Sequence, residues 1–423
     1  MNNIYKSLYR VFPCALNIAS CAFLFCFFVS VSDCFAQEQD DPDKYIESDV
    51  IPMGGKKGFS FQTKVGDFLL KPYTLVQTAA KFNYYDPDGL DYAEQDKIAN
   101  SGFEIPYAII GLSGRAFDKL TFNLTINAAQ SNAALLQQAW FDVNLKDELR
   151  FRVGKFKTPY NQAYLVTLGE TLFPCLPTSL TTDVYIGRSL NSVPPKFATG
   201  FDLGFMVHGL LKNKWEYNVG IFNGTGINVN TAKRTLSDDL GIPSLLYTAR
   251  FAFMPKGQMP SHQGRIDDLH NDKILFALSG SYNVEAEWES ANDFRLGFEF
   301  SYLKNRWYLS AEAYYMNMKL TKQQNYSPAF NFWGGYVQGG YFVTPKIQLA
   351  ARYDFMDRNS TDVDGILDMP AVGFNYYMFG YNLKLQAMYQ YVGKWGHEDQ
   401  LSRDIDDLGL AQHAATVMLQ FSF

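Results

Sequence analysis

His413-Ala-Ala-Thr-Val-Met-Leu-Gln-Phe-Ser-Phe423 is the stretch that decides the fold. Taken alternately, Ala415, Val417, Leu419, Phe421 and Phe423 make one face, and Ala414, Thr416, Met418, Gln420 and Ser422 the other. A period of two, apolar on one side and small or polar on the other, is a strand pattern. About ten residues at strand rise, tilted, cross the hydrocarbon core of a bilayer. The stretch reads as the closing strand of an outer-membrane barrel with its apolar face toward lipid. One amphipathic strand of a soluble β protein has the same pattern, so the remainder of the chain must separate the two.

Composition favours the membrane. Aromatic residues make up 16% of the 423, with 27 Tyr and 35 Phe, while charged residues are 19% and mean hydropathy is −0.17. That average is too polar for a helical membrane protein, and the aromatic excess suits transmembrane strands with Tyr, Phe and Trp at the interfaces. A formal charge of −6 argues against nucleic acid as a partner. Cys14, Cys21, Cys26 and Cys34 fall within residues 1–36 and only Cys175 lies beyond them. A single later thiol makes no intramolecular disulfide, and no cysteine-spaced metal site follows.

Residues 1–36 read as a secretory signal, with Lys6 and Arg10 before an apolar run from Ala15 to Val31 and small residues at Cys34 and Ala36 for cleavage. An uncleaved anchor is the alternative. Residues 37–57 are acidic at first (Glu38, Asp40, Asp41, Asp43) and carry Pro52, Gly54 and Gly55, as a flexible periplasmic lead-in would. No apolar run long enough for a membrane helix follows, which leaves strands as the spanning elements.

Strand-like stretches recur across 58–423. Leu120, Phe122, Leu124 and Ile126 oppose Thr121, Asn123, Thr125 and Asn127. Phe294, Leu296, Phe298, Phe300 and Tyr302 oppose Arg295, Gly297, Glu299 and Ser301. Short links, such as Lys212–Lys214, Lys304–Arg306 and Thr344–Lys346, alternate with long ones, such as 86–102, 158–197 and 394–412. That asymmetry separates periplasmic turns from outer loops. Pro255–Lys273 is long for a turn and reads as a periplasmic excursion. The segments come to an odd number, whereas a single-chain barrel needs an even one. Counted back from the final strand, 58–65 is the one to demote, to a short piece completing the final strand or lying inside the rim. The expectation is an all-β fold, a transmembrane antiparallel β-barrel of about 16 strands, wide enough for an aqueous channel.

Three stretches resemble the phosphate-selective porin O and P family: Lys57-Gly-Phe-Ser-Phe-Gln-Thr-Lys-Val-Gly66, Leu149-Arg-Phe-Arg-Val-Gly-Lys-Phe-Lys-Thr-Pro-Tyr160, and Ser179–Arg188 followed by Pro194–Gly204. The resemblance implies an outer-membrane channel of a Gram-negative-type bacterium, reached by Sec-type export and usually trimeric. It departs at Gly66-Asp67-Phe68, where the family favours two glycines and an arginine.

With apolar faces toward lipid, Arg150, Arg152, Arg250, Arg295, Arg352 and Lys384 project inward, and so do Glu216, Glu299, Glu312, Asp354 and Asp202. Two arrangements fit. In one the charges pair in a wide solvated channel. In the other the cations form a ladder that selects anions, arginine suiting phosphate by its forked donors. The 158–197 connection, with Arg188 and Lys196 and stiffened by Pro174, Pro177, Pro194 and Pro195, is the candidate constriction. It folds into the barrel or lies over the mouth. Enzymatic signals are poor: Ser301-Tyr-Leu-Lys304 sits on a strand rather than a helical turn, and the five histidines lack metal spacing. The function expected is passive diffusion of small hydrophilic solutes, with outer-membrane lipids as surroundings and no cofactor or metal. A surface-binding or adhesion barrel, and an outer-membrane hydrolase, are the alternatives.

Overall fold

The structure, a computed structural model, describes residues 50–55, 58–84, 99–131, 134–182, 196–224, 244–264, 272–284, 291–320, 330–357, 366–395 and 412–423. The expected signal segment 1–36, most of the lead-in and Arg188 lie outside the described residues.

The strands are β1 (Val50–Gly55), β2 (Gly58–Thr63), β3 (Phe68–Tyr84), β4 (Ala99–Ala116), β5 (Leu120–Asn127), β6 (Leu136–Lys146), β7 (Leu149–Lys157), β8 (Phe201–Leu211), β9 (Trp215–Phe222) and β10 (Leu246–Phe253). They continue as β11 (Lys273–Asn283), β12 (Ala291–Lys304), β13 (Trp307–Leu320), β14 (Phe330–Thr344), β15 (Ile347–Asp357), β16 (Ile366–Tyr377), β17 (Leu383–Tyr391), β18 (Gly393–Trp395) and β19 (His413–Ser422). From β3 each pairs antiparallel with the next, and β18 prolongs β17 along β16. The final strand returns to the first spanning one, from His413↔Tyr84 to Ser422↔Leu75, closing a 16-strand barrel. Closure leaves no spanning strand with an unpaired edge, which a bilayer demands.

The alternation sets the faces. Val417, Leu419 and Phe421 are exposed toward lipid while Thr416, Met418 and Gln420 are buried inward, and β12 turns Phe294, Leu296 and Phe298 outward. Aromatic pairs stand where strands leave the short turns: Trp215 stacks on Phe253 at 4.2 Å, and Trp307 lies against Tyr341 at 4.5 Å. Two of those turns are built from consecutive left-handed residues, Phe117–Asp118 and Lys212–Asn213 (φ 53°, 57°, 51° and 54°). Such a pair matches the right-handed twist of its flanking strands.

The amino-terminal piece is an addition to the closing seam. β2 meets β3 at Phe61↔Leu70 and Gln62↔Leu69, continuing along β3 the line that β19 leaves at Phe423. Phe59 stacks on Phe423 at 5.6 Å, and the Phe423 carbonyl accepts from Thr74 N at 3.1 Å. Residues 50–55, expected as the end of a flexible lead-in, instead form β1, because pairing with β2 satisfies that strand's other edge.

On one side the interior is filled. Met316, Met318, Phe332, Met356 and Met369 project inward from β13–β16 and form an apolar cluster with Ala163, Leu180 and Phe197. A second cluster joins Leu172 and Phe173 to Leu303, Tyr308, Ala350, Ala371 and Met388. The described parts of the connection, 158–182 and 196–200, thus lie inside the barrel, against the β12–β17 wall.

Candidate functional site

After β7 the chain turns inward at Asn161, whose φ of 67° is tolerated by asparagine. It then forms α1 (Gln162–Leu165), a 3₁₀ turn (Leu168–Glu170) and α2 (Thr178–Thr181) before returning to β8. None of these turns is long enough to be stable alone. The barrel wall supplies their partners.

Glu312 takes the Ala163 N–H at 2.6 Å, the Tyr336 hydroxyl at 2.7 Å and Asn161 Nδ2 at 3.3 Å. Glu299 stands directly opposite Glu312 on the neighbouring strand, a pairing that like charges disfavour. Arg250 relieves it: two guanidinium nitrogens lie 2.9 and 2.8 Å from Glu299 Oε2, a third N–H reaches Glu216 at 2.8 Å, and Gln162 Oε1 accepts at 2.7 Å. Further round, Ser179 donates to Asp354 at 2.9 Å, and Arg352 Nε lies 2.8 Å from the other Asp354 oxygen, an ion pair without hydrogen-bond alignment. Arg352 also donates to the Cys175 carbonyl at 3.1 Å and covers the Phe173 ring at 4.6 Å. Arg295 holds Asp293 at 2.6 Å and the Lys196 carbonyl at 2.6 Å. Lys384 donates to the carbonyls of Gly169 and Thr171, both at 3.1 Å. Burial raises the pKa of the Tyr160 and Tyr164 hydroxyls, so the loop presents them as neutral groups.

Close approach also shapes the seat. A Cβ at position 373 would stand 2.8 Å from Phe173, and one at position 340 would stand 2.6 Å from Leu172, so glycine at both lets the loop press against the wall.

A second segment reaches the loop from the opposite end. The expected excursion after β10, in its described part, rises into the lumen. Ser261 O accepts from Thr167 N at 3.2 Å, Gln263 N donates to Glu170 O at 2.9 Å, and the buried Gln263 side chain accepts from Leu172 N at 2.8 Å. Tyr381 fixes Gly264 through its carbonyl at 2.9 Å.

A cavity of about 650 Å³ lies between the loop and the β3–β9 wall. Lys71, Tyr73, Thr125, Gln138, Arg152, Lys157, Glu216 and Asn218 line it from the wall, and Leu165, Leu168 and Glu170 from the loop. Arg152 grips Asp142 at 2.9 and 2.7 Å and lies 4.1 Å over Trp140, while Asp142 also meets His208 Nε2 at 2.8 Å. Lys157 donates to the Val166 carbonyl at 2.8 Å and stands 5.5 Å from the Tyr164 ring. Lys71 has no side-chain partner among the described residues.

The inward charges read from the sequence therefore divide. Arg152 and Glu216 face the open passage. Arg250, Arg295, Arg352, Lys384, Glu299, Glu312 and Asp354 face inward but are buried beneath the loop rather than washed by the channel. Arg150 lies at the turn side, paired with Asp147 at 2.6 Å, and Lys196 contributes a carbonyl to the loop's anchorage. Lys71, Lys157 and Glu170 escaped the sequence reading. Lys71 shares parity with Tyr73, Leu75 and Gln77, a series whose apolar member masks its inward direction. Lys157 stands on the opposite parity from Arg150 and Arg152, and only the turn into the loop brings its ammonium inside. His208 bonds Asp142 and His413 bonds Tyr389, and neither bonds a serine among the described residues.

Known structures share this architecture. The anion-selective porin from Comamonas acidovorans superposes with a TM-score of 0.57 at 11% identity, over 84% of this chain and 100% of its own. In-vitro folded OmpT of Vibrio cholerae, in its trimer form, gives 0.54 at 10% identity over 84% and 99%. The outer membrane channel DcaP of Acinetobacter baumannii gives 0.51 at 12% identity over 86% and 99%. At such identities the likeness concerns the fold alone. No curated protein sequence matches the chain. The family model for phosphate-selective porin O and P does match, over residues 76–423, so the chain belongs to the phosphate-selective porin O and P family.

Proposed function

We infer that the protein works as an outer-membrane porin through which small solutes diffuse passively, a reading supported by its family and its fold. We propose that it prefers anions, and that the preference is set by Lys71 and Lys157. The observation that carries this reading is that neither has a carboxylate partner among the described residues: Lys71 has no side-chain partner there, and Lys157 bonds the Val166 carbonyl and adjoins aromatic rings. Of the acids lining the cavity, Glu170 accepts from the Ser261 hydroxyl and is the one without an ion pair among the described residues. Glu216 is held by Arg250, and Arg152 meets Asp142. Two ammonium groups set against the single unpaired carboxylate of Glu170 leave the passage net positive, which raises the local anion concentration. The family is phosphate-selective by name and the Comamonas acidovorans porin anion-selective, and both agree in sign with this reading. Reversal potential in a potassium chloride gradient tests the reading. The chain as it stands should favour chloride, and the pair Lys71→Gln and Lys157→Gln should shift the potential toward the cation side. Cation preference in the unsubstituted protein would refute it.

Residues 1–36 would serve as the export signal, cleaved after Ala36, with 37–49 as a lead-in. Amino-terminal sequencing of the mature protein should begin at Gln37. Assembly as a homotrimer, in keeping with the trimer form described for OmpT, is tested by the mass of the detergent-solubilised protein.

A further inference from the structure

The short and the long connections of the chain carry opposite charge. Three long ones, 86–98, 285–290 and 396–411, hold thirteen acidic residues against Lys97 and Arg403. The short turns are basic, although the chain as a whole carries −6. Lys119, Lys146, Lys212, Lys214, Arg306 and Lys346 are exposed there, and none has a side-chain partner among the described residues. The acids on the same turns are mostly taken. Asp118 pairs with Arg115 at 3.2 Å, Asp147 with Arg150 at 2.6 Å and Asp272 with Lys256 at 3.3 Å, which leaves Asp67 and Glu148 against the six cations.

Their position is that of a membrane surface. Lys146 pairs with Leu149 at the last step of its ladder. The other five stand one residue from the last pair of theirs: Lys119 beside Leu120, Lys212 beside Leu211, Lys214 beside Trp215, Arg306 beside Trp307 and Lys346 beside Ile347. Trp215 and Trp307 belong to the aromatic pairs of this rim, and Phe117 meets Phe68 there at 4.9 Å. Aromatic rings in such a girdle settle at the level of the lipid headgroups. A long cationic side chain one residue away reaches the same layer. Turns this short do not project toward a soluble partner.

We propose that the short-turn rim is a binding surface for the anionic phospholipid headgroups of the periplasmic leaflet, phosphatidylglycerol in kind. The inference is independent of the anion preference argued above, since these side chains stand outside the passage. Each ammonium offers a phosphodiester a point charge, and Arg306 offers a fork. Attraction of this kind fades within a Debye length, so it acts only on cations held in the headgroup layer, which is where the turns hold these. The turns run from β4–β5 round to β14–β15, so anionic lipids would be gathered along the perimeter rather than at one point.

The test places the full mature protein in nanodiscs of equal parts phosphatidylglycerol and phosphatidylcholine and counts, by mass spectrometry, the lipids it retains on release. The unsubstituted protein should retain phosphatidylglycerol by about fivefold over phosphatidylcholine, the preference that one basic side chain at an anionic surface confers. High salt should lower the ratio. Changing all six cations to glutamine should bring it toward one, and the pair Lys212→Gln and Lys214→Gln should lower it part of the way. Lys97→Gln with Arg403→Gln, on the long connections, should leave it unchanged. Equal retention of the two lipids by the unsubstituted protein overturns the proposal, and so does a preference that survives in the sixfold variant. Equal retention joined to binding of soluble poly-glutamate that the sixfold variant loses would also overturn it, assigning these cations to an acidic periplasmic partner.

Discussion

Glu312 accepts three hydrogen bonds from two directions, from the loop through Ala163 N and Asn161 and from the wall through Tyr336. Its removal leaves those donors buried and unpaired, at about 1–3 kcal/mol for each one not rescued by water. Glu312→Ala is therefore expected to free α1 from the wall. Single-channel recordings should show a larger and noisier conductance, while heat-induced unfolding of the barrel stays close to the parent, since the strand ladder does not depend on Glu312. Glu312→Gln keeps an acceptor for Ala163 and should lie between the two. Gly373→Leu attacks the same contact from the steric side. Its side chain enters the space of Phe173, and overpacking of this kind costs about 1–3 kcal/mol. The cheapest relief is displacement of the loop, so conductance should again rise. An unchanged conductance in both Glu312→Ala and Gly373→Leu would refute the loop as the constriction. At this scale the sequence was partly legible. The alternation points Glu312, Glu299 and Asp354 inward, but nothing local in it distinguishes a charge facing water from one clasped by a loop.

Among the elements, the two insertions depend on each other. Loop residues Thr167, Glu170 and Leu172 bond to 261–263, and Gln263 ties both of its backbone and side-chain groups to the loop. Gln263→Ala removes the acceptor for Leu172 N and should widen current fluctuations, with Gln263→Glu restoring them toward the parent because it retains an acceptor oxygen. The β1–β2 hairpin behaves differently. It touches the seam rather than the lumen, meeting β3 at two register positions and stacking Phe59 on Phe423. Deletion of 50–63 should leave conductance unchanged and lower the unfolding temperature slightly, the aromatic stack being worth about 0.5–1.5 kcal/mol. A changed conductance would place the hairpin in the passage instead. The strands themselves were legible from periodicity, and β5 takes up the alternating run from Leu120 to Asn127 throughout. The inward loop had one overlooked signal: Tyr314-Tyr-Met-Asn-Met318 and Phe330-Asn-Phe332 carry apolar residues on the inward face, while neighbouring Leu309 and Trp333 are apolar on the outward one. A strand apolar on both faces has something packed on both.

For the whole molecule, the loop splits the barrel into a filled half and an open half, and Cys175 reports on the division. It is the one cysteine beyond residue 36, it is an exposed residue of the loop, and its sulfur lies 3.6 Å from Arg352 Nη2 and 3.7 Å from Met388 Sδ. A negatively charged thiol reagent should label it in the folded protein and reduce single-channel current, and Cys175→Ser should be insensitive. Labelling without loss of current would put the loop away from the conducting path. The sequence by itself determined that the chain is a closed barrel, how many strands it has and which side chains turn inward. Strand period, turn length and the bilayer's demand for paired backbone are local or general constraints, and they are written residue by residue. Only the tertiary structure decided which inward charges are wet. Asn161 meets Glu312 and Ser179 meets Asp354 across 151 and 175 residues of chain, and such pairings follow from where a forty-residue loop comes to rest rather than from any neighbouring sequence. Burial then neutralises most of the apparent cation ladder in pairs and carbonyl contacts, and beside Arg152, paired with Asp142, the cavity holds two lysines that the alternation alone did not single out.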